Sequence, residues 1–408
     1  MKNLFKVIGC FSIILLISTN LLSCNKINND NNKNLKIILE DPKSIDNDFI
    51  NTIFEEYKKE NENIKINIKN TKGLDETLEV IKKEDYDIIL CGRQSMMELS
   101  RRGIIKNISE LYKANKINER FYNIVCSYGK AYEEYFGLGL MPYSIEMLCK
   151  KEDIPFNIDG SIKLDENNFK TLLSKNKGEL PVIVPKELDF NLTTLTYLSN
   201  NLITYSDIEN KFDESKENYL GINKMQNVFY SFNLFLNILK ENNVTLVKEE
   251  DKNFEAFFNG DKKLIITCTA ALGGLESKED IKTISNLFSK NYHISPPVVV
   301  EHIVCSFTGT DNKSEVNKFL DYICRDEIYI TLGKKGFLSG NMKGTHYTPG
   351  LINEMVWTIK AANENNIPFY LNLPKKIEEE IKVELKSISE GKYSGNEWQN
   401  IIERVYKQ

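Results

Sequence analysis

The sequence predicts an α/β protein built on an open, largely parallel sheet, with room for a second domain. Three observations predict it. From residue 35 onward strand-like runs alternate with apolar positions at helical spacing, the pattern of a sheet covered by helices. The 408 residues, about 385 once an amino-terminal export signal is removed, exceed what one core organises, so two domains or more are expected. A composition of 41% hydrophobic and 27% charged residues, with 21 Gly and 10 Pro, is that of a globular protein and excludes collagen-like or wholly disordered chains.

The elements follow in order. Lys2 and Lys6 precede an apolar run from Val7 to Leu22 that suits the core of a signal peptide better than a membrane span. It ends in Leu21-Leu22-Ser23-Cys24, which resembles the bacterial lipobox, so residues 1–23 are expected to be removed and Cys24 to receive a diacylglyceryl group. Residues 24–34, rich in Asn and Lys, have little to bury and form a tether of at most about 35 Å. This places the body outside the cytoplasm, on the extracytoplasmic face of the cell membrane, held there by lipid.

In the body, Leu35-Lys36-Ile37-Ile38-Leu39 is a strand, and Phe49, Ile50, Ile53, Phe54 and Tyr57 mark a helix. Ile64 to Ile68 alternates with period two, Leu74, Leu78 and Ile81 mark a second helix, and Tyr86 to Leu90 is a short buried strand. Ligands of such sheets bind beyond the carboxyl ends of the strands, which points to Asp41-Pro42 and to Cys91-Gly92-Arg93-Gln94-Ser95. Met225 to Leu239 carries an apolar helical stripe, Lys263 to Cys268 and Val298 to Cys305 are buried strands, and Val316 to Ile323 is a helix that Ser314 could cap. Ile377 to Ile388 and Trp398 to Val405 are two more amphipathic helices.

Chemistry narrows the function. Lys+Arg 53 against Asp+Glu 58 gives a net charge of −5, or −7 once Lys2 and Lys6 leave, which argues against nucleic acid as a partner. The three histidines, His293, His302 and His346, have no metal-ligand spacing, and no bound metal or cofactor is expected. Gly137-Leu138-Gly139-Leu140 lacks the third glycine of a dinucleotide fingerprint, and Gly333-Lys334-Lys335-Gly336 lacks the spacing of a phosphate loop. Six cysteines remain beyond Cys10 and Cys24. They are dispersed in apolar runs and read as buried free thiols, although Cys91, Cys149, Cys268 and Cys305 fall in or at the ends of predicted strands and could converge on a soft metal.

Five blocks in sequence order carry a family resemblance: Tyr86-Asp87-Ile88-Ile89-Leu90 with Arg102 to Leu111, Tyr135 to Ser144, Phe254 to Lys262, Phe319 to Ile323 with Leu332 to Leu338, and Ile388 to Ser394. Behind a lipobox, they resemble the family 1 extracellular solute-binding proteins, lipoprotein receptors of ABC importers that include maltose-binding protein. The resemblance implies a type II, periplasmic-binding-protein-like fold of two α/β lobes, 35–139 with 303–332 and 143–298 with 340–408. Hinge segments near 139–143, 299–303 and 332–340 would join them. It implies a monomeric receptor, not an enzyme, that captures a small polar ligand by hinge closure and hands it to an ABC permease.

At the ligand it implies Arg93, Gln94 and Ser95 at a strand end, Tyr143 and Glu146 beyond the first crossing, Thr269 on the opposing strand end, and Tyr370 in a carboxyl-terminal loop. Sugar-binding relatives carry aromatics where this chain has Leu148-Cys149-Lys150-Lys151 and Cys268-Thr269-Ala270-Ala271. An oligosaccharide remains the first ligand class, held by hydrogen bonds more than by ring stacking. A sensor or adhesion lipoprotein of the same fold is the alternative, and a surface hydrolase a more remote one.

Overall fold

The computed structural model describes residues 33–154, 162–176, 178–185, 188–199, 202–208, 212, 215–249, 254–272, 281–287, 296–347 and 351–407. The export signal, Cys24 and most of the tether lie outside them. Lys33 and Asn34, counted with the tether, already pair with Ile64 and Lys65 as the first residues of a strand.

Two sheets organise the chain. The first holds β1 (Lys33–Glu40), β2 (Ile64–Thr71), β3 (Ile88–Cys91), β4 (Leu138–Gly139) and, from much later, β12 (Ile303–Ser306), in the order β2-β1-β3-β12-β4. Its first three strands are parallel, as the crossover helices α1 (Asn47–Glu60) and α2 (Leu74–Ile81) require. The helix α3 (Arg93–Arg101) starts directly after β3.

The second sheet holds β5 (Pro142–Lys150), β6 (Ile162–Leu164), β7 (Glu179–Ile183), β8 (Thr245–Glu249), β9 (Leu264–Cys268) and β10 (Ile281–Leu287), in the order β8-β7-β9-β5-β10-β6, with β11 (Val298–Val300) on the first residues of β5. The helices α4 (Phe190–Ser199), α5 (Met225–Glu241), α8 (Lys375–Ser389) and α9 (Glu397–Val405) pack on it. Trp398 is buried in this core and donates its indole N–H to the Tyr219 carbonyl. Each sheet has its own hydrophobic cluster, so the molecule has two lobes.

The chain passes between sheets at 140–141, where β4 gives way to β5, and at 301–302, where β11 gives way to β12. The run Val298 to Cys305, read from sequence as one strand, is therefore two strands in different sheets, parted by Glu301 and His302. The third crossing also differs from the expectation of 332–340. Leu338, Val356, Ile359 and Ile367 still pack in the first core, with Met355 touching the second, and the chain settles in the second from Phe369 and Tyr370 on.

The reason is a set of tertiary contacts on 338–347. Asn341 donates to Asp326, Met342 N–H to the Arg120 carbonyl, and Gly344 lies so close that an added Cβ would sit 2.4 Å from Ser339 Oγ and 2.6 Å from the Tyr329 carbonyl oxygen. The helix α7 (Leu351–Ala361) then straddles the cores, with Val356 and Ile359 on the first and Met355 on the second. A last difference is local: α6 (Lys313–Ile323) starts on Asn312, which leaves Ser314 inside the helix.

Candidate functional site at the seam between the lobes

The carboxyl ends of β1 and β3 point toward the crossings, and there the two lobes touch. The loop 41–46 after β1 and the first turn of α3 form the first lobe's side, and 369–373 lies against them. Asp41 opens its loop in the left-handed region at φ 49°, a conformation that costs a non-glycine residue energy and turns the chain sharply off the strand.

Arg93 and Gln94 tie this seam. The Arg93 guanidinium is 2% exposed and donates through Nε to Asn372 Oδ1 at 2.7 Å and through Nη1 to the carbonyls of Ser127, Tyr128 and Lys130. Gln94 Nε2 donates to the carbonyls of Tyr370 at 3.0 Å and Leu373 at 2.9 Å. Ser95 is buried beside them and its hydroxyl bonds the Glu40 carboxylate, whose pKa burial pushes up.

Tyr370 is buried, edge-on to Phe369, with its hydroxyl bonded to Thr196. The structure thus brings Arg93, Gln94, Ser95 and Tyr370 to one place. Tyr143 lies close by in the crossing strand and donates to Glu301 Oε1 at 2.9 Å.

Glu146 and Thr269 make their hydrogen bonds elsewhere, to β5, β10 and α7. Glu146 is fully buried, accepting from Ser144 Oγ at 2.5 Å and Thr283 Oγ1 at 2.6 Å, with Thr358 of α7 as a third hydroxyl partner. Burial pushes its pKa up and the hydroxyls oppose that. Thr269 Oγ1 accepts the Ser144 N–H. Glu146 thus ties the middle of β5 to β10 and α7, and Thr269 holds the Ser144 N–H near its start.

Sequence reasoning missed two residues here. His302 lies between two acceptors, with Nδ1 2.7 Å from Asp46 Oδ1 and Nε2 2.5 Å from the Glu40 carbonyl oxygen. Glu301 accepts the Ile45 N–H at 2.7 Å besides the Tyr143 hydroxyl. The available signal was a charged pair interrupting the apolar run from Pro296 to Cys305.

The six cysteines beyond Cys24 are buried and free, and the four on strands divide between lobes: Cys91 and Cys305 in the first core, Cys149 and Cys268 in the second. Among the described residues no group of three or more His, Cys, Asp or Glu side chains is placed to hold a metal, and no helix is long and apolar enough to cross a membrane.

No family sequence profile and no curated protein matches the chain. Solved structures do. A family 1 extracellular solute-binding protein from Bifidobacterium longum subsp. infantis superposes with a TM-score of 0.65 at 13% identity, over 92% of this chain and 99% of the other. The sugar-binding protein MalE from Xanthomonas citri gives 0.64 at 10% identity over 92% and 97%. The maltose/maltodextrin-binding domain MalE from Bdellovibrio bacteriovorus, bound to maltotriose, gives 0.61 at 11% over 92% and 100%. Across nearly its whole length, then, the chain has the two-lobe α/β fold of the MalE-like solute-binding proteins.

Proposed function

We propose that the chain is an extracytoplasmic solute receptor, tethered through a lipid on Cys24, that captures a carbohydrate between its lobes and delivers it to an ABC permease. The observation that carries this reading is the architecture. Two separately cored lobes meet at a polar seam and are joined by three crossings, an arrangement suited to hinge closure over a ligand. Structural neighbours bound to maltotriose and to α-D-tagatose support the ligand class.

Closure works here by exchange of partners. The bonds from Gln94 to the 370 and 373 carbonyls and from Arg93 to Asn372 hold the lobes together directly. A sugar entering the seam takes over those donors and acceptors through its hydroxyls, with Tyr143 and Tyr370 flanking it. Only contacts stronger in the closed state drive closure. No bond is broken and no catalytic group is needed.

The test is a thermal-shift and calorimetry panel of mono- and oligosaccharides, with polyamines, peptides and phosphate esters beside them. A sugar that binds only the folded chain should raise stability by about 2.7 kcal/mol at a hundredfold excess over Kd. Stabilisation by another class alone would overturn the carbohydrate reading. Retention of a Cys24→Ser variant on membranes would overturn the lipid anchor.

A further inference from the structure

His302 faces an acceptor from each ring nitrogen, a carboxylate oxygen at Nδ1 and a backbone carbonyl at Nε2. A neutral imidazole has one N–H and satisfies only one of them, so the geometry calls for the imidazolium. The two acceptors belong to Glu40, the last residue of β1, and Asp46, just before α1, which bracket the loop 41–46. The adjoining residue, Glu301, holds the Ile45 N–H of the same loop and the Tyr143 hydroxyl of the other crossing. Two consecutive residues of the crossing between β11 and β12 therefore grip the loop that forms the first lobe's edge of the seam.

We infer that His302 is a positioning residue for ligand capture: as a doubly donating imidazolium it clamps the loop 41–46 to the crossing, so that capture weakens when that proton is lost. The inference rests on the receptor reading for its link to capture, while the clamp itself rests on the geometry.

The surroundings favour the charged ring. Asp46 and Asp41 face it from the loop, the Glu40 carboxylate from β1 and Glu301 from the preceding position of the crossing. Lys375, Glu378 and Lys382 of α8 reach Asp41 from the second lobe, and Tyr128, Tyr143 and Tyr370 surround Glu301. Burial works against the imidazolium, but the Asp46 charge and both hydrogen bonds outweigh it and raise its pKa to about 9. Burial and the Asp46 charge push Glu301 up to about 7. For a raised histidine the clamp is complete below its ordinary value of about 6.5 and is lost as pH rises through the folded value.

The experiment is an NMR titration of the histidine-labelled chain from pH 5 to 10, with amide exchange at Ile45 normalised for intrinsic rates. His302 should titrate near pH 9, and Ile45 protection should fall about tenfold or more on deprotonation, as a charge-assisted hydrogen bond is lost. Asp46→Asn keeps an acceptor facing Nδ1 and removes the charge, so the midpoint should drop toward 6.5 or below. His302 titrating at or below 6.5 in the unmodified chain, or Ile45 protection unchanged through the titration, would overturn the clamp.

A second arm measures maltotriose binding by calorimetry at pH 6.5 and 9.5. Affinity should fall about tenfold in the unmodified chain, its pH midpoint should move down with that of the ring in Asp46→Asn, and a folded His302→Gln variant should bind weakly at both pH values. Equal affinity at both pH values in the unmodified chain would overturn the positioning role. If maltotriose fails to bind at any pH, this arm is run with the sugar that gives the largest thermal shift; if no sugar binds, the sugar reading falls, and the NMR arm still decides the clamp.

Discussion

Arg93 and Glu146 are two buried charges that solve the same problem in different places. Among the described residues neither has an ion-pair partner; the guanidinium is held by an amide oxygen, backbone carbonyls and Tyr205, the carboxylate by hydroxyls. Burial pulls the arginine pKa down and pushes the glutamate pKa up, in each case toward the neutral form. Arg93 reaches from the first lobe to Asn372 at the second, whereas Glu146 ties the middle of β5 to β10 and α7. On the proposed function the charge on the seam is coupled to closure, whereas Glu146 contributes chiefly to stability.

The largest expected effect tests the first half of that contrast. Arg93→Met removes the donor to Asn372 Oδ1 and to three backbone carbonyls and should cost about 3–5 kcal/mol in denaturant unfolding, and Arg93→Lys should recover little, because one ammonium cannot span the same set. A loss below 1 kcal/mol would break the comparison. Next, Gly344→Ala forces a Cβ against the Tyr329 carbonyl and should destabilise the first lobe by about 2 kcal/mol. Protection in amide exchange should fall around Tyr329 and Asn341 and hold in α5, and the reverse pattern would move 338–347 to the second lobe.

Gln94→Ala removes two bonds across the seam, should cost about 1 kcal/mol, and should shift the chain toward open shapes in scattering. The smallest effect is at Glu146. A carboxyl whose folded pKa is raised stabilises most below its unfolded value and loses that contribution as pH rises through the folded one. Glu146→Gln should therefore cost about 1 kcal/mol at pH 4 and less at pH 8, with ligand affinity unchanged. A cost that grows with pH would reverse the assignment.

What was legible in the sequence followed local pattern. Ile37, Ile38 and Leu39 between polar neighbours, and Phe49 to Tyr57 at helical spacing, describe β1 and α1 because burial of one face needs only periodicity. The third crossing was not legible, since Asn341 and Gly344 are fixed by Asp326 and Tyr329, contacts with no periodic signature. Candidate residues were located more easily than their work was understood. Arg93 and Gln94 do stand at a strand end facing the other lobe, but which partner meets each depends on chain far away: Arg93 on Asn372, and Asp46 on His302, 256 positions apart.

The proposed function requires the lobes to close over a sugar. Small-angle scattering of the chain without and with the sugar giving the largest thermal shift tests it most directly. A smaller radius of gyration and a shorter maximum dimension on saturation are the predicted result, and Gln94→Ala should start from a larger radius and compact further. An unchanged scattering curve at saturating, calorimetrically verified sugar would contradict it.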